Sequence, residues 1–188
     1  MKNRIGQQFK KEVKDLKEYV VLATVKAKDY QNTNLEIIKQ LTEEEKIPGV
    51  YVTLAKPFKT LQKLFEKKGI DTDMVIFIDA VTQTSEGEIE RTDSCLFIGS
   101  PERLSDISVA MDQSVRSLPS KDRFVFFDSL NLLLMFNQVG TVGRFIHFLA
   151  GKMRSWRVKG IIVTLEKEKN KELINELSQF CDVTFDIN

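Results

Sequence analysis

The chain has 188 residues, enough for one domain with its own core and too few for two of ordinary size. Its 28 basic and 27 acidic side chains nearly cancel to a net charge of +1, which argues against a dedicated nucleic-acid binder while leaving room for a local basic patch. A composition of 42% hydrophobic and 29% charged residues argues against disorder, no apolar run nears the roughly 20 residues of a membrane span, and the charged opening Met1–Lys17 lacks a signal-peptide core, so the expected location is the cytoplasm.

Ile5, Phe9, Val13 and Leu16 recur at helical spacing, so residues 1–17 are read as an amphipathic helix with a basic outer face of Lys2, Arg4, Lys10, Lys11, Lys14 and Lys17. Its apolar face either covers this chain's own sheet or docks on a neighbouring subunit. Tyr19 to Thr24 is an apolar strand. Thr33 and Glu36 have capping-box spacing ahead of Leu35, Ile37, Ile38 and Leu41, which predicts a helix capped by Thr33 that ends in the acidic run before Pro48-Gly49. Val50 to Leu54 is the second strand. Pro57 opens a helix carrying Phe58, Leu61, Leu64 and Phe65, and Gly69 stops it. Met74 to Ile78 is a third strand, ending at Asp79.

A polar excursion from Thr82 to Ser94 precedes the short strand Cys95–Ile98. Ser100, with Pro101 after it, predicts the cap and first position of a helix lined by Leu104, Ile107, Met111, Val115 and Leu118. Phe124 to Phe127 is a continuous apolar strand ending in Asp128-Ser129. Val142, Phe145, Ile146, Leu149 and Met153 mark a long helix, Ile161 to Thr164 a strand, Leu173, Ile174, Leu177 and Phe180 a helix face, and Val183 to Phe185 the last strand. Strands apolar throughout, alternating with helices, predict one α/β domain over residues 1–188: a three-layer α/β/α arrangement with a mainly parallel sheet. Ligand sites of such sheets lie beyond the carboxyl ends of the strands.

At one of those ends, Arg123-Phe124-Val125-Phe126-Phe127-Asp128-Ser129-Leu130 resembles the Walker B strand of KaiC and other RecA-superfamily ATPases, where an apolar strand runs into Asp-Ser-Leu. Thr141 to Leu149 and Gly160 to Glu166 resemble the helix and strand that follow it in that family, and Gly49 to Leu54 its second strand. The likeness runs from Tyr19 onward and implies a RecA-like P-loop NTPase frame. Members of the family form rings or filaments by packing an N-terminal element on the next protomer, so the resemblance also implies self-association.

Two parts of the family's ATP machinery do not match. A phosphate loop reads Gly-x-x-x-x-Gly-Lys-[Ser/Thr] because backbone N–H groups must converge on the phosphates along a path that glycine permits. No glycine stands between Gly6 and Gly49. The glutamate that follows the second strand in KaiC-like enzymes, where it orients the attacking water, is replaced by Ala55 and Lys56. The expectation is a degenerate member with no catalytic residues, no metal and no cofactor. Its relict nucleotide pocket would be marked by Lys26, Lys28, Thr33, Asp128 and Ser129.

Asp128 is read as a cap for the helix begun at Ser129 or as the partner of a cation, and Lys26 and Lys28 as solvated loop residues. Asp79 and Glu166, also at strand ends, make a carboxylate cluster with Asp128 conceivable. His147 reads as a surface or packing residue. Trp156, among Lys152, Arg154, Arg157 and Lys159, is the best local case for nucleic-acid contact, against a helix end made basic to suit its dipole with Trp156 closing the core. Cys95 and Cys181 lack the pairing of a zinc site and read as buried thiols. The leading expectation is a non-catalytic RecA/KaiC-like protein that acts as a protein-association or regulatory module. The alternatives are a nucleotide-binding protein or weak ATPase with a rebuilt phosphate loop, and a DNA-repair-type accessory that binds DNA through the Trp156 patch.

Overall fold

Apolar residues on both faces of a strand require cover on both sides, and helices supply it here. The computed structural model describes residues 4–82, 92–166 and 171–187. Among the described residues seven strands are present: β1 Tyr19–Val25, β2 Gly49–Thr53, β3 Val75–Asp79, β4 Cys95–Phe97, β5 Phe124–Asp128, β6 Lys159–Leu165 and β7 Val183–Ile187. They form one parallel sheet in the order β4-β3-β2-β5-β6-β1-β7. The described helices are α1 Arg4–Glu12, α2 Tyr30–Lys39, α3 Phe58–Lys68, α4 Leu104–Ser117, α5 Leu130–Phe136, α6 Val139–Ser155 and α7 Lys171–Ser178. A π-helical turn, Gln40–Glu44, extends α2.

The two-residue period of the strands sorts the core into two layers. Val20, Leu22, Val50, Val52, Val125, Phe127 and Ile162 point to the side covered by α4, α5, α6 and α7. Val21, Ala23, Tyr51, Phe77, Phe124, Phe126 and Ile161 point to the side covered by α1, α2 and α3. The three-layer α/β/α architecture predicted from the pattern is therefore the one observed. Close approach explains Gly49: it pairs with Phe124 across β2 and β5, and a Cβ there would lie 2.4 Å from the Phe124 ring.

Connectivity creates the crevice. From β2 the chain leaves toward α3 on one face, and from the adjacent β5 it leaves toward α5 on the other. The carboxyl ends of two such neighbouring strands diverge and leave a space between them. β1 and β6 diverge in the same way, toward α2 and α7.

Three helix boundaries differ from the sequence pattern. The first helix ends at Glu12 rather than at residue 17, because Leu16 N–H turns back to the Val13 carbonyl and swings the chain into β1. Its apolar face lies on this chain's own sheet, with Phe9 fully buried edge-on to the rings of Tyr19 and Phe185. Thr33 is not a cap. The turn from β1 is short, Asp29 N–H donating to the Lys26 carbonyl at 3.0 Å, and Thr33 N–H already donates to Asp29 at 2.9 Å, so α2 starts at Tyr30 and Thr33 faces inward, fully buried. Ser100 and Pro101 form a turn closed by Arg103 N–H on the Ser100 carbonyl, and α4 starts at Leu104. Pro57 and Gly69 bound α3 as expected, Gly69 at φ +70. Most of the Thr82–Ser94 excursion lies outside the described residues. Cys95 is buried and Cys181 half-buried, both free thiols. Among the described residues no helix is long and apolar enough to cross a membrane.

Candidate functional site

At the carboxyl end of β5, Asp128 is 2% exposed. One carboxyl oxygen, Oδ2, accepts the Tyr51 hydroxyl at 2.5 Å, and the other, Oδ1, has no partner. Burial pushes the Asp128 carboxyl up to about 8. Neither expected role holds: among the described residues no cation is paired with it, and Ser129, the N-cap of α5, is 1% exposed and makes no side-chain cap bond. The Asp128–Ser129 peptide is cis.

Tyr51 reaches Asp128 from β2, the neighbouring strand, in which Thr53 pairs with Asp128. Its ring stacks on Phe126 with centroids 5.0 Å apart and meets Phe65 edge-on at 5.6 Å. Burial raises the Tyr51 phenol well above its ordinary range, a hydrogen bond with Asn34 of α2 opposing the shift. The space left over is a cavity of ≈ 10 Å³ lined by Tyr30, Asn34, Tyr51, Lys56 and Asp128 among others, about the size of one water. Three of these residues carry buried polar atoms without partners: Asp128 Oδ1, Asn34 Oδ1 and the Tyr30 hydroxyl.

The other expected site residues do not converge there. Only four residues, 26–29, join β1 to α2, and none of them has positive φ. Lys28 is exposed and Lys26 half-buried, and neither lines the cavity. The Thr33 hydroxyl is buried without a partner, and Thr33 is not a lining residue either. At the end of β2 the Thr53 hydroxyl donates to the Lys56 carbonyl at 2.7 Å and accepts its N–H at 3.1 Å, a turn that fixes Ala55 and Lys56.

Asp79 has a structural task. It is fully buried, and its oxygens accept Phe58 N–H (2.7 Å), the Thr82 hydroxyl (2.5 Å), Val81 N–H (2.7 Å) and Thr82 N–H (2.9 Å). The carboxylate thus ties the first turn of α3 to the end of β3. Glu166 is exposed. No cluster of three metal-binding side chains occurs among the described residues, so Asp79, Asp128 and Glu166 do not form a carboxylate site.

The basic side chains near Trp156 have contacts within the chain. Trp156 is 7% exposed, and its indole N–H donates to Asp112 at 2.9 Å. Arg154 pairs with Asp182 at 3.1 Å, Arg157 with Glu18 at 3.5 Å and Lys159 with Glu45 at 3.2 Å. Lys152 lies 5.9 Å from the Trp156 ring centroid and 5.8 Å from that of Phe148. His147 is exposed and stacks on Phe180 at 4.3 Å.

A parallel sheet covered by helices on both faces, with an aspartate at the carboxyl end of β5, defines the fold, and solved structures share that fold. The chain is similar to the KaiC-like protein PH0186 from the hyperthermophilic archaeon Pyrococcus horikoshii OT3, with a TM-score of 0.62 and 14% identity over 90% of this chain and 71% of that one. It is equally similar to PH0250 from Pyrococcus horikoshii OT3, with a TM-score of 0.62 and 12% identity over 97% and 87%. At these identities the likeness is one of fold. The chain belongs to a family of unknown function (DUF7504), whose model matches residues 28–187. No curated protein matches it.

Proposed function

We propose that this protein is a non-catalytic KaiC-like module whose nucleotide pocket is closed and which acts by associating with protein, in the first instance with a second copy of itself. The observation that carries this reading is the four-residue connection from β1 to α2. The glycine-bounded part of a phosphate loop takes about six residues before its helical lysine. Four residues without glycine or positive φ offer no concave nest of N–H groups for an anion. Beside it, the space next to Asp128 holds about one water, far below the hundreds of cubic ångströms of a typical ligand pocket. Adenosine triphosphate and magnesium, which the fold family would imply, therefore do not fit these residues. Titration calorimetry with ATP and magnesium is expected to give no binding heat. Binding at about micromolar affinity, with turnover abolished by Asp128→Ala, would overturn the reading.

Support for self-association comes from the turn between α5 and α6. Met135, Val139 and Phe136 are 73%, 58% and 45% exposed there. They belong to a run, Ser129 to Gly143, that contains no charged residue in a chain with 29% charged residues. A surface that faces its own copy across a two-fold axis meets its own charges, and an uncharged one escapes that repulsion. Sedimentation equilibrium is expected to show a reversible dimer, and Phe136→Asp is expected to weaken it at least tenfold, about 1.4 kcal/mol, by placing like charges face to face. A wild-type chain that stays monomeric at roughly millimolar concentration would remove the self-association half of the proposal.

A further inference from the structure

Two buried aspartates end parallel strands of this sheet, and their surroundings differ. An ionised carboxylate in a protein interior needs several donors or a cation to offset its lost hydration. Asp79 has four donors on its two oxygens. Asp128, 2% exposed, has one donor, Tyr51, and a bare Oδ1. The groups around its cavity are Tyr30, Gln31, Asn34 and Leu35 from α2, Tyr51 from β2, Lys56 from the turn after β2, and Leu61 and Leu64 from α3. Lys56 is the one cation among these lining residues, and no ion pair joins it to Asp128 within 4.0 Å.

The partnerless atoms of the cavity are an amide carbonyl (Asn34 Oδ1), a phenol hydroxyl (Tyr30) and Asp128 Oδ1. All three are oxygens with no hydrogen-bond partner, and the volume admits one water. A water placed there would donate to Asn34 Oδ1, exchange a hydrogen bond with the Tyr30 hydroxyl, and accept one from the O–H of a protonated Asp128 Oδ1. That makes three hydrogen bonds, the usual number for an internal water. Each buried atom then has a partner.

We infer that Asp128 is carried as the neutral acid, its proton on Oδ1 donated to one buried water held also by Asn34 and Tyr30, so that a proton and a water together close the pocket and make the stability of the fold depend on pH. The upward shift of the Asp128 carboxyl agrees with this geometry. The sign follows from linkage. An acid whose folded pKa, about 8, lies above its ordinary value of about 4 binds its proton more tightly when folded, so stability falls as pH rises from about 4 and levels off above about 8.

The inference rests on the closed-pocket reading, and the test separates the two. Unfolding of the wild-type chain and of Asp128→Asn is followed by urea titration at steps from about pH 5 to about pH 9. The ratio of their folding constants, which cancels the other titrating groups, is expected to fall by up to about tenfold per pH unit until about pH 8 and then to flatten. A ratio independent of pH over this window overturns the inference. Should Asp128→Asn fail to fold, carbon-13 carboxyl resonances of the aspartate-labelled wild-type chain decide the matter. One carboxyl titrating near pH 8 supports the neutral acid, and all of them ionised at about pH 6 refutes it. A crystal grown near pH 6 is expected to show one water within hydrogen-bonding distance of Asp128 Oδ1 and Asn34 Oδ1, and density for a metal ion there would overturn the assignment. An ionised Asp128 with no nucleotide binding sinks only the proton assignment, whereas stabilisation by ATP and magnesium sinks the closed pocket with it.

Discussion

Replacing Asp79 by alanine is expected to destabilise the fold by about 3–5 kcal/mol, read as a shift in the urea midpoint at unchanged slope. The change removes the carboxylate that accepts three main-chain N–H groups, those of Phe58, Val81 and Thr82, together with the Thr82 hydroxyl. Phe58 N–H stands at the first turn of α3, where helical donors have no partner of their own, so the loss spreads to the packing of Phe58 and Leu61 on the sheet. Asp79→Asn keeps one acceptor oxygen and is expected to cost roughly half as much, because its amide N–H₂ would confront donors. A loss below about 1 kcal/mol for Asp79→Ala would show that water satisfies these groups and that the carboxylate is no cross-link.

Tyr51→Ala is expected to cost about 3–5 kcal/mol as well, for a different reason. The ring is fully inside the core, against Phe126, Phe65 and Phe77, and removing it leaves a void between β2, β5 and α3. Tyr51→Phe keeps the packing and removes only the hydroxyl on Asp128, so its cost is expected near 1–2 kcal/mol. The pair of variants separates packing from hydrogen bonding, and equal losses would contradict this division. Calorimetry on Tyr51→Ala with ATP and magnesium is expected to show no binding, since a void beside Asp128 does not supply the missing turn of N–H groups. Binding by that variant would mean that the tyrosine alone had closed the site.

Much of this architecture is legible in the sequence. Apolar runs such as Phe124 to Phe127 announce strands buried on two faces, and the helices between them carry their period openly. The order β4-β3-β2-β5-β6-β1-β7 was not legible, since it is set by pairings such as Gly49 with Phe124 between segments far apart in the chain. Thr33 misled because capping-box spacing is a local signal, whereas the start of α2 is decided by how tightly residues 26–29 turn out of β1. Tyr51 passed as one more strand residue, because a tyrosine's hydroxyl declares its partner only in three dimensions. The same holds for Asp79, whose donor Phe58 lies 21 residues away, and for the basic side chains near Trp156, whose acids Glu18, Glu45 and Asp182 lie on other elements.

The shortness of the β1–α2 connection bears on what it would take to build a phosphate loop into this fold. Writing glycine, lysine and threonine back into residues 26–33 would change the letters and leave the span unchanged. The coding sequence would need about two extra codons. If α2 absorbed them, each inserted residue would rotate the helix by about 100°, so two would carry Leu35, Ile37 and Ile38 away from the interior. If the turn absorbed them, it would have to bulge past Tyr30. On the closed-pocket proposal, point substitution alone would therefore not make this turn a phosphate cradle; a change in its length would be required.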